Sequence, residues 1–282
     1  MTPIFILSGP AGSGKDTVAG LLVKHVARNG ITIAQADAMK RFARNVFYFT
    51  DDQLWGPSSS RNAADPRFDL SDGKSQREFS YVSERLDKFA ESWLKSIGLN
   101  YRENFGKLEN WFRSLFRAHI DEGKPLTPRM VLQTLGTEFG RKLDQNIWSR
   151  LAIQTAEKLL IGGYTYTPSN GLCVDPEAPG YDFVVITDGR FRNELLNVSK
   201  IGGRAIKIQP TGDTAQYSEA VDKAGVKGHA SEAELGGIPD SWYDYIFVND
   251  KSKGLTFLKT WIHQLAVALG IHKGAGYHED SY

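Results

Sequence analysis

Gly9-Pro10-Ala11-Gly12-Ser13-Gly14-Lys15-Asp16-Thr17 follows an apolar run, Ile4-Phe5-Ile6-Leu7, and precedes Val18, Leu21, Leu22, His25 and Val26. The order is strand, glycine-rich turn, then a helix with apolar residues recurring at helical spacing. Glycines at 9 and 14, the second followed directly by Lys15, form a phosphate-cradling loop. Glycine lets consecutive backbone N–H groups curl around an anion, and the helix N-terminus behind them adds a favourable dipole. The stretch therefore predicts a nucleoside triphosphate site in which Gly12, Ser13, Gly14, Lys15, Asp16 and Thr17 line the phosphates. Ser or Thr usually follows the Lys and holds Mg²⁺. Here Asp16 stands in that place and the hydroxyl comes one later, at Thr17.

The bulk numbers exclude several classes. Of 282 residues, 41% are apolar and 24% charged, which is ordinary for a folded soluble chain. A formal net charge of +1 argues against a protein living on the DNA backbone, so no stable nucleic-acid binding is expected. Cys173 is the only cysteine, which fits a reducing cytosol; it reads as a small buried hydrophobe. No apolar stretch approaches the roughly 18 residues of a membrane span, and with the lone cysteine a cytoplasmic location is expected. The run before Gly9 is too short, and lacks the basic leader, for a signal peptide. Whether the chain forms a homodimer stays open.

Working outward from the loop, a first helix is expected from Lys15 to about Arg28, and a second strand from Ile31 to Ala36. Asp37 would cap a helix carrying Lys40, Arg41 and Arg44. From residue 50 to about 127 turn chemistry and two helical stretches break this rhythm, which reads as a partly helical insertion over the active site. Its stripe Phe105, Leu108, Trp111, Phe112, Leu115 and Phe116 reads as core packing. Thr127-Pro128 opens another helix, on which Arg129, Gln133, Thr137 and Arg141 step by four while Val131, Leu135 and Phe139 turn inward. A further helix bears Trp148, and Tyr164 to Pro179 reads as loop.

Asp182 to Thr187 is a strand ending at Asp188, followed by a helix and a strand from Arg204 to Gln209. A polar, lid-like segment, residues 210–241, precedes a last strand, Tyr245 to Val248, and a final amphipathic helix. Five strands alternating with helices make a single α/β domain over residues 1–282, a doubly wound parallel sheet. Ligands bind such sheets at the carboxyl ends of the strands. Asp188 stands there and can hold Mg²⁺ or its waters, and Arg190 can reach the same cleft. The Arg129–Arg141 stripe suits an anionic ligand carrying a base, although a solvated helix face reads equally well from periodicity alone. His229, in a polar loop, reads on local pattern as surface.

The chain resembles phage-type deoxynucleoside monophosphate kinases of the P-loop kinase superfamily. The matching blocks are Gly14-Lys15-Asp16-Thr17, Ala36-Asp37-Ala38-Met39-Lys40, Asp52 to Pro57 with Arg61-Asn62, Leu132-Gln133-Thr134-Leu135-Gly136-Thr137-Glu138, Asp188 to Glu194, Gly228 to Ala233, and Val248-Asn249-Asp250. The resemblance implies transfer of the γ-phosphoryl group of ATP to a deoxynucleoside 5′-monophosphate. Lys15 would neutralise the group in transfer, and Mg²⁺ would lie near Asp16 or Asp188, through water. Lys40, Arg61, Arg129 and Arg190 would hold the acceptor, and Gln133, Gly136, Thr137, Arg141 and Trp148 would shape the nucleoside pocket. Thr187 and Gln209-Pro210 depart from the family pattern, and residues 210–241 contain no arginine, so His229, Glu232, Lys223 or Lys227 would have to serve the lid. A P-loop kinase with another acceptor, such as a small metabolite or a hydroxymethylated base in DNA, is the second reading. A P-loop switch without an acceptor is the third, against which stands the absence of an Asn-Lys-x-Asp guanine signature at Asn249-Asp250.

Overall fold

The computed structural model describes residues 2–26, 28–70, 74–223 and 234–272. In chain order the strands are β1 (Ile4–Ser8), β2 (Gly30–Ile33), β3 (Tyr164–Thr167), β4 (Gly171–Val174), β5 (Phe183–Gly189), β6 (Arg204–Thr211) and β7 (Tyr245–Asp250). The helices of the first half are α1 (Lys15–His25), α2 (Asp37–Phe47), α3 (Asp51–Trp55), α4 (Ser58–Asn62), α5 (Lys74–Ser96) and α6 (Tyr101–Asp121). Those of the second half are α7 (Pro128–Thr134), α8 (Ile147–Ile161), α9 (Arg192–Lys200), α10 (Asp213–Lys223) and α11 (Gly254–Ala268). Two compact units result: Met1–Gln35 with Ala152–Tyr166 and Leu172–Tyr282, and Ala36–Leu151 with Thr167–Gly171.

The first unit is built on a five-stranded sheet in the order β2-β5-β1-β6-β7, every recorded pairing parallel. Parallel neighbours need crossover connections, which the helices supply, and both faces are then covered. That is why β1 reads Ile-Phe-Ile-Leu without alternation: all five of its residues are buried. Ile4 and Ile6 join Val184, Ile186, Leu195 and Val198 on one face. Phe5 and Leu7 join Val18, Leu22, Ile206, Ile262 and Leu265 on the other. The chain leaves β1 toward the β2 side and later returns to place β6 on its opposite flank, a switch point at the carboxyl end of β1.

The second unit is helical and its core is aromatic. Phe42, Phe47, Phe49, Phe68, Trp93, Trp111, Phe112, Phe116, Phe139 and Trp148 are all buried in one cluster. The stripe on α6 faces this core, as its spacing predicts, with only Phe105 partly exposed. The unit takes in residues on both sides of the expected insertion, 50–127.

Several local expectations change. Residues 164–174 form a two-stranded hairpin rather than a loop. Tyr-Thr-Tyr-Thr suits a pleated strand, and the turn is made by Gly171 at φ 77 and by the Thr167 hydroxyl, which accepts from the Asn170 amide at 3.2 Å. Cys173 lies on that hairpin and is exposed, not buried. The helix opened by Thr127, whose side chain accepts from the Met130 amide at 3.1 Å, turns from α to π winding over Leu135–Arg141. The lid-like segment begins with α10. No described helix is long and apolar enough to cross a membrane.

Candidate functional site

The phosphate loop runs from the end of β1 into α1. Gly12 has φ 77 and Gly14 φ 89, left-handed values that a side chain would strain. A Cβ on Gly14 would lie 2.3 Å from Asn249 Nδ2, and one on Gly12 would lie 3.1 Å from the Tyr217 ring. The first helical bond of α1 is Val18 N–H to the Gly14 carbonyl, 2.9 Å, so the N–H groups of the first turn have no acceptor inside the helix. Ser13 is fully buried and its hydroxyl has no hydrogen-bond partner. Lys15 is 9% exposed, and its ammonium donates to the Gly9 and Pro10 carbonyls at 2.7 and 2.8 Å. Asp16 and Thr17 are exposed. An orphaned buried hydroxyl, side-chain-free backbone and an ammonium at the loop fit a polyphosphate.

Asp188 stands near the carboxyl end of β5, beside β1, and is half-buried. Its Oδ1 accepts the Gln35 backbone N–H at 2.8 Å. That bond ends β2 at Ile33, three residues before the expected Ala36, because Gln35 turns to the carboxylate instead of continuing the ladder. The reach-back cap of α9 comes from Glu194, 4% exposed, whose Oε2 accepts from the amides of Arg190 and Phe191 at 2.8 and 3.1 Å. Arg190 is thereby held two residues beyond Asp188.

Three residues around the loop were not singled out as site residues from sequence. Asn249, on the last sheet strand, donates from Nδ2 to the Ser13 carbonyl at 2.8 Å. Ser218 donates to the Ala11 carbonyl at 2.6 Å. Lys251 sits with its ammonium 3.9 Å above the ring of Tyr217, the ring that approaches Gly12. Of these, only the Val248-Asn249-Asp250 block left a signal in the sequence. His229 and Glu232 lie outside the described residues. The Asp250 carboxyl is held below its usual range by hydrogen bonds from Ser252. Burial pushes the Tyr243 phenol up, against a contact with the Ser8 hydroxyl at 3.3 Å.

The expected acceptor residues other than Arg190 gather in the helical unit, where α2, α3, α4 and α7 pack in sequence and α7 returns to α2. Lys40 lies 3.6 Å from Asp37 and 5.7 Å from the Trp55 ring, and the Trp55 indole N–H donates to the same Asp37 oxygen at 2.9 Å. Arg61 donates to the Gly56 carbonyl at 2.9 Å and the Ser58 hydroxyl at 3.3 Å. Arg129 donates to Asn62, next to Arg61, which ties α7 to α4. Gln133 and Thr137 stay together, the Thr137 hydroxyl donating to the Gln133 carbonyl at 2.8 Å. Arg141 departs from the straight stripe: it ends the π segment and donates to the Gln145 carbonyl at 3.1 Å. A π turn closes i→i+5 bonds, so a step of four no longer keeps one face. Trp148 is a core residue, 3% exposed. Its indole N–H donates to the Gly136 carbonyl at 3.0 Å, and its ring fills the space of a Cβ on Gly140, 2.3 Å away. Trp148 thus props the Gln133–Arg141 segment from behind.

Among the described residues, no group of three or more His, Cys, Asp or Glu side chains gathers to hold a metal. A parallel sheet of this order with a phosphate loop at its switch point is a fold of the P-loop kinase type. The chain is 24% identical over 246 residues to a protein of Acanthamoeba polyphaga mimivirus, named provisionally as a deoxynucleotide monophosphate kinase, covering 87% of this chain and 88% of that one. It is 25% identical over 280 residues to the deoxynucleoside-5′-monophosphate kinase of Escherichia phage T5, covering 93% and 95%. No protein-family model matches it. The resemblance read from the motif blocks is borne out by these two relatives.

Proposed function

We propose that the protein is a kinase that transfers the γ-phosphoryl group of ATP to deoxynucleoside 5′-monophosphates, yielding ADP and the diphosphates, in the cytoplasm where DNA precursors are made. The observation that carries this reading is the cradle at Gly12–Thr17: a buried, partnerless Ser13 hydroxyl and the Lys15 ammonium beside the bare backbone of Gly12 and Gly14. The two viral relatives supply the acceptor class.

Backbone amides of the loop and the Ser13 hydroxyl would take the β- and γ-phosphate oxygens, and Lys15 would turn from the loop carbonyls to neutralise the group in transfer. Asp188 and Asp16 would hold Mg²⁺ through its waters, and the cation would supply positive charge to offset that of the phosphates. Lys40, Arg61 and Arg129 would grip the acceptor phosphate, and Gln133, Gly136 and Thr137, with Arg141 at the end of the segment, would frame the nucleoside. Arg190 would offset charge on the transferring group. A phosphate oxygen of the acceptor forms the new bond to the γ-phosphorus as the bond to the β,γ-bridging oxygen breaks, and ADP carries that charge away. No general base is required, because a phosphomonoester with a second pKa of about 6 is already anionic; alignment and charge neutralisation suffice.

An ADP-release assay across the deoxy- and ribonucleoside monophosphates tests the reading. At least one deoxynucleoside monophosphate should raise ADP release well above ATP alone. ATP hydrolysis indifferent to every monophosphate would overturn it.

A further inference from the structure

Gln35 carries a group that the reaction above leaves unused. The residue is 6% exposed. Its backbone N–H donates to Asp188 Oδ1 at 2.8 Å and its Nε2 donates to the Asp188 carbonyl at 3.4 Å. A carbonyl only accepts, so the amide nitrogen is the end that faces it, and this fixes Oε1 as the other end. Oε1 is buried and has no hydrogen-bond partner. Native structures keep few such acceptors, because each forfeits its hydration without return. The long Nε2 bond does not explain why the carboxamide is kept.

The location supplies a reason. β2, β5 and β1 are neighbours in that order; Gln35 follows the carboxyl end of β2, Asp188 is the last residue but one of β5, and the phosphate loop follows β1. A water bound to a divalent cation turns its lone pair to the metal and presents two polarised hydrogens, the complement of a buried acceptor that lacks a donor. Mg²⁺ keeps several of its waters when it is bound mainly through phosphates and one carboxylate.

Resting on the proposed function, we propose that Gln35 is a positioning residue for the Mg²⁺ of the donor nucleotide, its Oε1 accepting a hydrogen bond from a metal-bound water beside Asp188. The arrangement answers for the Asp at position 16, where a Ser or Thr hydroxyl would ordinarily contact the cation. Outer-shell partners of this kind orient the inner shell and typically change metal affinity about 10- to 100-fold.

The test compares wild type with Gln35→Leu and Gln35→Glu. Mn²⁺ affinity is read by electron paramagnetic resonance in the presence of a non-hydrolysable ATP analogue, and half-saturating Mg²⁺ is read from turnover. Gln35→Leu should weaken Mn²⁺ about 10-fold and raise half-saturating Mg²⁺ in step. It should melt no lower than wild type, since the orphaned acceptor is gone. Gln35→Glu, which retains an acceptor at the same reach, should restore metal binding. Unchanged Mn²⁺ affinity in Gln35→Leu, or a lower melting temperature with unchanged metal constants, makes the residue structural and overturns the proposal. A shift confined to the acceptor KM overturns it too, assigning Oε1 to the acceptor. A wild-type protein that binds no Mn²⁺ with the analogue overturns the kinase reading itself, and this inference with it.

Discussion

Asn249 and Ser13 are separated by 236 positions in the chain, yet the Asn249 side-chain amide donates to the Ser13 carbonyl at 2.8 Å in a buried setting. The last sheet strand thereby holds the phosphate loop in shape, and Gly14 must lack a side chain to let it. Asn249→Ala strands a buried carbonyl, at a cost of about 1–3 kcal/mol. Urea denaturation should show that loss, and the KM for ATP should rise about tenfold, roughly 1.4 kcal/mol, while the acceptor KM stays put. A loop that binds ATP normally in the variant would show that the clamp is dispensable.

Lys15 donates to two carbonyls of its own loop, the Gly9 one buried and the Pro10 one partly exposed, and its removal deletes the charge at the loop. Lys15→Ala should retain the native circular dichroism spectrum and lose about 10²–10³-fold or more in turnover. Near-normal turnover by folded protein would refute the loop's assignment.

Lys251 offers a cation that follows the arginine-free segment 210–241 in the chain. Its ammonium lies 3.9 Å above the Tyr217 ring, which approaches Gly12. Lys251→Ala should raise the KM for ATP several-fold and flatten its dependence on salt. Tyr217→Phe keeps the aromatic face and should behave like wild type, whereas Tyr217→Ala should resemble Lys251→Ala.

Trp148 and Gly140 interlock in the helical unit. Gly140→Ala would place a methyl group 2.3 Å from the indole, an overpacking that costs about 1–3 kcal/mol. Trp148→Phe leaves the Gly136 carbonyl without its donor, a loss of similar size. Both variants should raise the KM for the monophosphate and leave that for ATP near wild type, measured by initial rates with each substrate varied in turn.

Asp65 makes the stability of the protein fall with acid. Burial pushes its carboxyl up, but hydrogen bonds from the Arg67 side chain and amide and from Gln53 outweigh that and hold it below the usual 3.8. Its folded value is lower than its unfolded one, so the stabilisation is complete above the ordinary carboxylate range and is lost as pH falls through the lowered value. The stability difference between wild type and Asp65→Asn should therefore be constant from neutral pH down to about 5 and shrink below about 4. Thermal melts across that range check the sign.

Much of the candidate donor site was legible because its determinants are local. The glycines at 12 and 14 and Lys15 sit within four positions of one another, and the Thr127 cap closes over three. The aromatic stripe on α6 carried its burial in its spacing. The hairpin at 164–174 was hidden because Pro168 and Gly171 read as loop while its strands are only four residues each. The π winding over Leu135–Arg141 left no local signal, and the side chains that close on its glycines, Met39 at Gly136 and Trp148 at Gly140, come from outside the segment.

By itself the sequence determined that an apolar strand runs into an anion-binding loop and helix, that parallel strands alternate with helices, and that basic residues recur along a helix opened at Thr127. Each of these follows from backbone preference or side-chain period within a few residues. The tertiary structure alone decided that Asn249 clamps the loop, that Gln35 ends β2 against Asp188 with a buried acceptor left over, and that Trp148 belongs to the core. The clamp joins residues 236 positions apart and the Gln35–Asp188 bond residues 153 apart. Contacts of that span are set by which strands become neighbours in the sheet, and no local pattern carries that information.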